Sequence, residues 1–277
     1  MMHRKTNSGN IIAYIVLTLA ALTMIFPFYW MVSTALKPGT NVLKIPPDFF
    51  PWPISFESFN AVLNYANIFR AFLNTLIISL SVTFGTLFTS SLAAYSFSKI
   101  KFDGSRKIYG IFLATIMVPS QITLIPMYMI FSKIGWTDSF LPLIVPGIMI
   151  NAYGIFMIRS FMEGIPDSYV ESAYIDGANP FWTYLRIIVP LLKPITVTLG
   201  LFSFIGAWND FMGALIYIDS EQKFTITLLL STFKSQYNIN WGNIMAASTL
   251  AILPIVVFYF FSQKFFIEGI TMSGLKG

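Results

Sequence analysis

Two short stretches of this chain carry side chains that could do chemistry. The first is Trp208-Asn209-Asp210, where an aromatic face, an amide and a carboxylate stand together inside an apolar run. Such a trio suits a carbohydrate, because rings stack on pyranose C–H groups while amides and carboxylates bind hydroxyls. It equally suits hydrogen bonding between helices, which is the reading we favour. The second is the polar interval from Arg159 to Pro194, which holds four of the twelve acidic residues. No credible pair of nucleophile and base occurs in the chain. The chain has no cysteine and a single histidine, His3 near the amino terminus, so disulfides, thiolate sites and histidine-based metal or catalytic centres are not expected. No Gly-x-x-x-x-Gly-Lys-Ser/Thr phosphate loop occurs, so the chain is not expected to hydrolyse ATP.

The elements that must position these groups are membrane helices. The 277 residues are 56% hydrophobic and 10% charged, too little polar surface for a soluble globule of this size. Runs nearly free of charge cover 11–36, 71–97, 108–131, 140–158, 195–217 and 244–261. A helix needs roughly 20 residues to cross the hydrocarbon core. Lipid offers no partner to backbone amides, and the runs lack the alternation of barrel strands, so the expected fold is an all-α integral membrane protein with six transmembrane helices in a single domain, 1–277. With the amino terminus inside, eleven lysines and arginines fall on the cytoplasmic side and six, Lys37, Lys44, Arg70, Lys133, Lys223 and Lys234, outside. That bias predicts both termini, and the loop 159–194, in the cytoplasm. The net charge of +5 is therefore a topology signal, with no implication of nucleic-acid binding.

Local patterns subdivide the picture. Ser168 and Glu171 have capping-box spacing and predict a helix starting near Tyr169. Gly177 predicts its stop, and Asn179-Pro180 a cap and first turn for a second short helix ending by Pro190. The bend is expected to expose Ala173, Asp176, Gly177 and Ala178. Small and polar residues recur every three or four positions at Thr75, Ser79, Thr83, Thr86, Ser90 and Ala94, and again at Gly200, Ser203, Ala207, Asp210 and Ala214. Close packing within the chain is the expectation for both stripes. The proline-rich interval after the first span reads as an extended external segment.

The spacing of Glu171, Ser172, Ala173, Gly177, Ile187 and Val189-Pro190 resembles the EAA loop of binding-protein-dependent ABC importer permeases, with Ser172 and Val189 departing from the usual Ala and Leu. Ala94-Tyr95-Ser96-Phe97, Val118-Pro119-Ser120-Gln121, Trp208-Asn209-Asp210-Phe211, Trp241-Gly242 and the tail from Gly269 are similar to the carbohydrate-uptake branch, and to the smaller membrane subunit of maltose importers. The resemblance implies a type I importer fold in the bacterial cell membrane. It implies that Glu171, Ser172, Ala173, Asp176, Gly177 and Ala178 form a coupling helix seated on an ATPase. It also implies a second homologous permease subunit, two ATPase subunits that bind ATP and Mg, an external solute-binding protein and a carbohydrate substrate. The same architecture serves non-sugar solutes such as glycerol phosphate, and a self-contained secondary transporter stands as a further alternative.

Overall fold

The computed structural model describes residues 8–65, 67–149, 151–233 and 240–273, with side chains from Asn10 to Gln263. His3, Arg4, Lys5, Lys234 and Lys276 lie outside the described residues, as does the end of the tail. Among the described residues every regular element is helical. In chain order these are α1 (Ser8–Ala35), α2 (Glu57–Leu63), α3 (Ile68–Lys99), α4 (Ser105–Ile116), α5 (Ser120–Lys133), α6 (Leu141–Met149), α7 (Ala152–Met162), α8 (Ser168–Ile175), α9 (Pro180–Thr183), α10 (Val189–Leu191), α11 (Lys193–Trp208), α12 (Phe211–Tyr217), α13 (Ile226–Thr232) and α14 (Trp241–Ser273).

Four helical stretches are long and apolar enough to cross a membrane: Asn10–Ala35, Ile68–Lys99, Leu141–Met162 and Trp241–Gln263. Two bent pairs raise the number to six if each is one span: Ser105–Ile116 with Ser120–Lys133 at 99°, and Pro180–Leu191 with Lys193–Trp208 at 80°. Residues 108–131 are thus two helices rather than one. Pro119 is extended at the start of α5, has no N–H to give, and pushes Val118 away from helical geometry. Residues 195–217 are also divided, between α11 and α12.

The contacts define two compact units, Met1–Ile68 with Leu230–Leu253, and Phe69–Leu229 with Pro254–Gly277. In the first, α1 presents its apolar sides outward along most of its length, as a lipid-facing helix would. Its last turn is anchored. Tyr29 and Ser33 donate to the carbonyl of Phe49 at 2.7 and 3.0 Å, Ser55 N–H donates to Leu36 O at 2.8 Å, and the Lys37 ammonium lies 4.3 Å from the Trp30 ring centroid. The proline-rich interval therefore turns back onto the helix end rather than extending freely. Lys37 is buried beside the Trp30 ring, and that desolvation lowers its pKa while nearby Asp48 raises it.

In the second unit α3 is the spine. Thr75, Ser79, Thr83, Thr86, Ser90 and Ala94 are all buried. Thr86 donates to Gly147 O at 2.9 Å and Thr89 to Ile148 O at 2.7 Å. A Cβ on Gly154 would come within 2.6 Å of Ser90 Oγ and 3.1 Å of Leu199, so α7 reaches the stripe only because that glycine lacks a side chain. This stripe packs within the chain. At the other end, Asn74 donates to the carbonyls of Gln222 and Phe224, and Thr75 Oγ1 accepts from Ile226 N–H at 2.8 Å, pinning residues 222–226 to the start of α3.

The turn before α6 is fastened to the same region by Asp138, which has φ of 51°. Its carboxylate accepts from Lys223 Nζ (2.8 Å), Ser220 Oγ (2.6 Å), Ser220 N–H (2.9 Å) and Asp219 N–H (3.1 Å). Lys223 first, then Ser220, hold its pKa well below the usual carboxylate range. A carboxylate depressed in the folded state contributes stability that is complete above its unfolded pKa of about 3.9 and fades as pH falls below that value toward the lower folded one. Asp138→Asn should lower the melting temperature of the detergent-purified protein at pH 7, and the gap from wild type should narrow below about pH 4. A gap independent of pH, or none at pH 7, would remove the clasp.

Candidate functional site

The elbow between α7 and α11 grows from three local signals. Helix α8 ends in Gly177 at φ +83°, where Gly177 N–H donates to Tyr174 O at 3.1 Å and Ala178 N–H to Ala173 O at 2.9 Å. That pair of bonds satisfies the last carbonyls of α8 and needs a left-handed residue. Asn179 Oδ1 then accepts from Trp182 N–H at 2.8 Å and Pro180 takes the first helical position, so the chain restarts at once. The run continues through a π-helical stretch, Tyr184–Ile188, into α10.

The start of α8 departs from the capping-box expectation. The helix begins at Ser168 with Asp167 at its cap position, and no side chain caps it. Asp167 is engaged elsewhere. Lys99, the last residue of α3, donates to Asp167 Oδ1 at 2.6 Å and to Ile165 O at 2.7 Å, with only 5% of its side chain exposed. Attraction between two full charges outweighs a carboxylate's bond to a backbone amide, and the Lys99 ammonium holds Asp167 away from the helix it would cap. The hydrogen bond and charge of Lys99 lower the Asp167 pKa.

Beneath the elbow lies one core cluster containing Ala94 and Tyr95 of α3, Ile158 and Met162 of α7, Val170 of α8, and Tyr184, Ile188, Leu192 and Leu199. Tyr184 is a rivet. Its ring lies 5.5 Å from that of Tyr95, and its hydroxyl is 2.6 Å from Ser91 Oγ. The elbow is therefore built onto the helix bundle and has little freedom to move independently of it.

Above this base α8 and α9 enclose an open hollow of about 640 Å³, lined by Ser172, Ala173, Asp176, Gly177 and Ala178 together with Tyr169, Asn179 and Trp182. Ala173, expected to be exposed, is 4% exposed; it closes the hollow floor because α8 turns this face toward the cluster under Val170. Asp176 and Gly177 are exposed and Ala178 is half-buried. Glu171 is exposed on the other flank, in a cleft with Lys99, Lys101, Asp167 and Tyr174. Apolar groups ring the elbow uncovered: Tyr169, Trp182 and above all Ile175, at 85% exposure. A hollow with an apolar rim and acidic points is fitted to receive a protein surface.

Trp208, Asn209 and Asp210 are not gathered into one site. Trp208 is 1% exposed, stacked on Phe204 at 5.4 Å and edge-on to Phe72 at 5.4 Å, so its faces are closed to any sugar. Asn209 is exposed at the end of α11. Asp210 caps α12, its Oδ1 accepting from Gly213 N–H at 2.9 Å. The anticipated hydrogen bond is present as a cap rather than as a bridge between distant helices, and it divides the fifth span. A Cβ on Gly213 would sit 2.3 Å from the second carboxylate oxygen, so the glycine makes room for the cap. Since Asn caps as well as Asp, Asp210→Asn should express and melt like wild type, whereas Asp210→Leu should lose about 1 kcal/mol and detergent-stable yield. Equal melting of the two variants would refute the capping role. Sequence reasoning did not single out Lys99 and Asp138 as fasteners; each finds its partners more than 65 residues away.

A bundle of apolar helices carrying such an elbow is the fold of an ABC importer's membrane subunit. The solved structure of a bacterial ABC transporter involved in the import of the acidic polysaccharide alginate superposes with a TM-score of 0.85, covering 96% of this chain and 99% of that one at 23% identity. Residues 85–271 match the family described as binding-protein-dependent transport system inner membrane component, and the chain belongs to that family. It is a transport component rather than an enzyme. Among its relatives, the arabinooligosaccharides transport system permease of Bacillus subtilis is 32% identical over 93% of this chain and 92% of its own. The diacetylchitobiose uptake system permease of Streptomyces coelicolor is 30% identical over 92% of each.

Proposed function

We propose that this chain, acting as one permease domain, is half of the translocation pore of an ATP-driven carbohydrate importer in a bacterial plasma membrane. A second, homologous permease completes the pore, two ATPase subunits bind ATP and Mg inside, and a solute-binding protein delivers the sugar outside. Both termini are cytoplasmic. The observation that carries the proposal is the elbow: a hollow floored by Ala173, flanked by Asp176 and Gly177, rimmed by uncovered Tyr169, Ile175 and Trp182, and fixed to the transmembrane core through Tyr184. Movement of a protein seated there would pass into α3, α7 and α11. ATP and loaded binding protein would drive the change of access through their different affinities for the two states. Oligosaccharide relatives support the substrate class.

The test is reconstitution of the co-purified complex in liposomes. Oligosaccharide uptake should require ATP and binding protein, and sugar-loaded binding protein should stimulate ATP hydrolysis. Flux by this chain alone without ATP would support a secondary transporter instead. Transport confined to glycerol phosphate or another non-sugar solute would overturn the carbohydrate assignment.

A further inference from the structure

Between α3 and α4 the chain forms a second concavity, roughly 860 Å³ and open to the surface, that the elbow does not use. Lys101, Arg106, Lys107 and Arg159 line it, against one carboxylate, Asp103. Among the described residues neither Lys101, Arg106 nor Lys107 has an acidic side chain within ion-pair distance. All three are exposed. Arg159 is held differently: its guanidinium lies 4.1 Å from the Tyr109 ring centroid, Nη2 pairs with Glu163 at 3.0 Å, and Nε is shielded from solvent without an acceptor.

The floor is aromatic. Phe97 lies 5.9 Å from Phe102, 5.6 Å from Tyr109 and 5.9 Å from Phe112, a rigid base under the cationic rim. Helix α4 starts at this rim from a left-handed Gly104, with no side-chain cap and no acidic residue in its first turn. Its early amides thus add to the positive field. Next to Lys107 and one turn beyond it, α4 leaves Ile108 and Ile111 uncovered, Ile111 at 68% exposure. A cationic rim, an aromatic base and an apolar flank one helical turn away follow the order of phosphate, glycerol and acyl chain in a phospholipid.

We infer that the concavity lined by Lys101, Arg106, Lys107 and Arg159 is a binding site for the phosphate headgroup of an anionic phospholipid of the inner leaflet, whose acyl chains lie along Ile108 and Ile111 of α4. The inference rests on the orientation proposed above, which places the α3–α4 turn in the cytoplasm. The uncovered isoleucines favour a lipid over a free anion, since a soluble phosphate would gain nothing from them. Arg159 joins this site to α7 and so to the root of the elbow.

Native mass spectrometry of the detergent-purified complex, with phosphatidylglycerol and phosphatidylcholine supplied in equal amounts, tests the site. At roughly fivefold in affinity per basic residue, phosphatidylglycerol should be retained at least tenfold over phosphatidylcholine. The preference should disappear in the Lys101→Gln, Arg106→Gln, Lys107→Gln triple variant and persist when Lys101 and Lys107 are changed to Arg. These positions are exposed, and elution as an intact complex confirms that the triple variant is folded. Retention of the preference in the triple variant would overturn the site. Competition by inorganic phosphate as effective as that by the lipid would overturn the lipid assignment. The sequence has no cysteine, so Asp103→Cys labelled by an impermeant maleimide reports sidedness. Labelling from outside would overturn the orientation, and with it the inner-leaflet placement, whatever the lipid preference.

Discussion

Gly177→Trp is expected to reach the membrane in normal amount and to reduce sugar uptake at least tenfold, while Gly177→Asn keeps most of it. The two variants separate two properties of one position. At φ +83° a residue with a Cβ is strained by about 1–2 kcal/mol, and asparagine escapes much of that because its side chain tolerates the left-handed region. Space is not the obstacle, as nothing lies within 4 Å of a Cβ placed there. The indole instead projects from the corner of the hollow and occupies surface that the proposed ATPase contact requires. Strain alone would loosen the two bonds closing α8, from Ala178 N–H to Ala173 O and from Gly177 N–H to Tyr174 O, without unfolding a bundle whose core lies below. Uptake in vesicles should therefore fall while yield holds and melting temperature drops by no more than a few degrees. ATP hydrolysis by the complex should lose its stimulation by loaded binding protein. Wild-type uptake by Gly177→Trp would sink the proposed coupling role of the elbow.

The spans were legible because lipid forces the backbone into helices and an apolar run long enough to cross has few alternatives. Their interruptions were only half legible. Pro119 announces a break by its chemistry, but Asp210 inside an apolar run does not, because hydropathy weighs what a carboxylate pays in lipid and is blind to the Gly213 amide three residues on. The end of the elbow's first helix was written locally, in Gly177, Asn179 and Pro180, whose preferences involve neighbours within a few residues. Its beginning was not. Ser168 and Glu171 have the right spacing for a box, and the competitor that draws Asp167 away, Lys99, is 68 residues distant. The same holds for Ala173: its exposure depends on how α8 settles on a cluster drawn from α3, α7 and the chain after Tyr184, and no local pattern encodes that.

Lys99 carries the second large expectation. Lys99→Met should insert normally and lose several-fold in uptake, with faster hydrogen exchange across residues 165–177 and little change near Tyr184. The ammonium sits at the carboxyl end of α3, where the helix dipole favours it, and reaches two groups at the root of the elbow. Methionine fills the same volume but donates nothing. A hydrogen bond to a charged group is worth about 1.5–3 kcal/mol, and the two bonds are not equal here. Asp167 is 74% exposed, so when released its carboxylate regains water and the loss on that side is small. The bond to Ile165 O is part-buried, and breaking it frees the segment that sets where α8 begins. Asp167→Asn should accordingly be much milder than Lys99→Met, and the double variant no worse than Lys99→Met alone. If Asp167→Asn matched Lys99→Met, the surface ion pair rather than the buried carbonyl would be what fixes the elbow. If neither changed exchange or uptake, the elbow would be held by the cluster around Tyr184 alone.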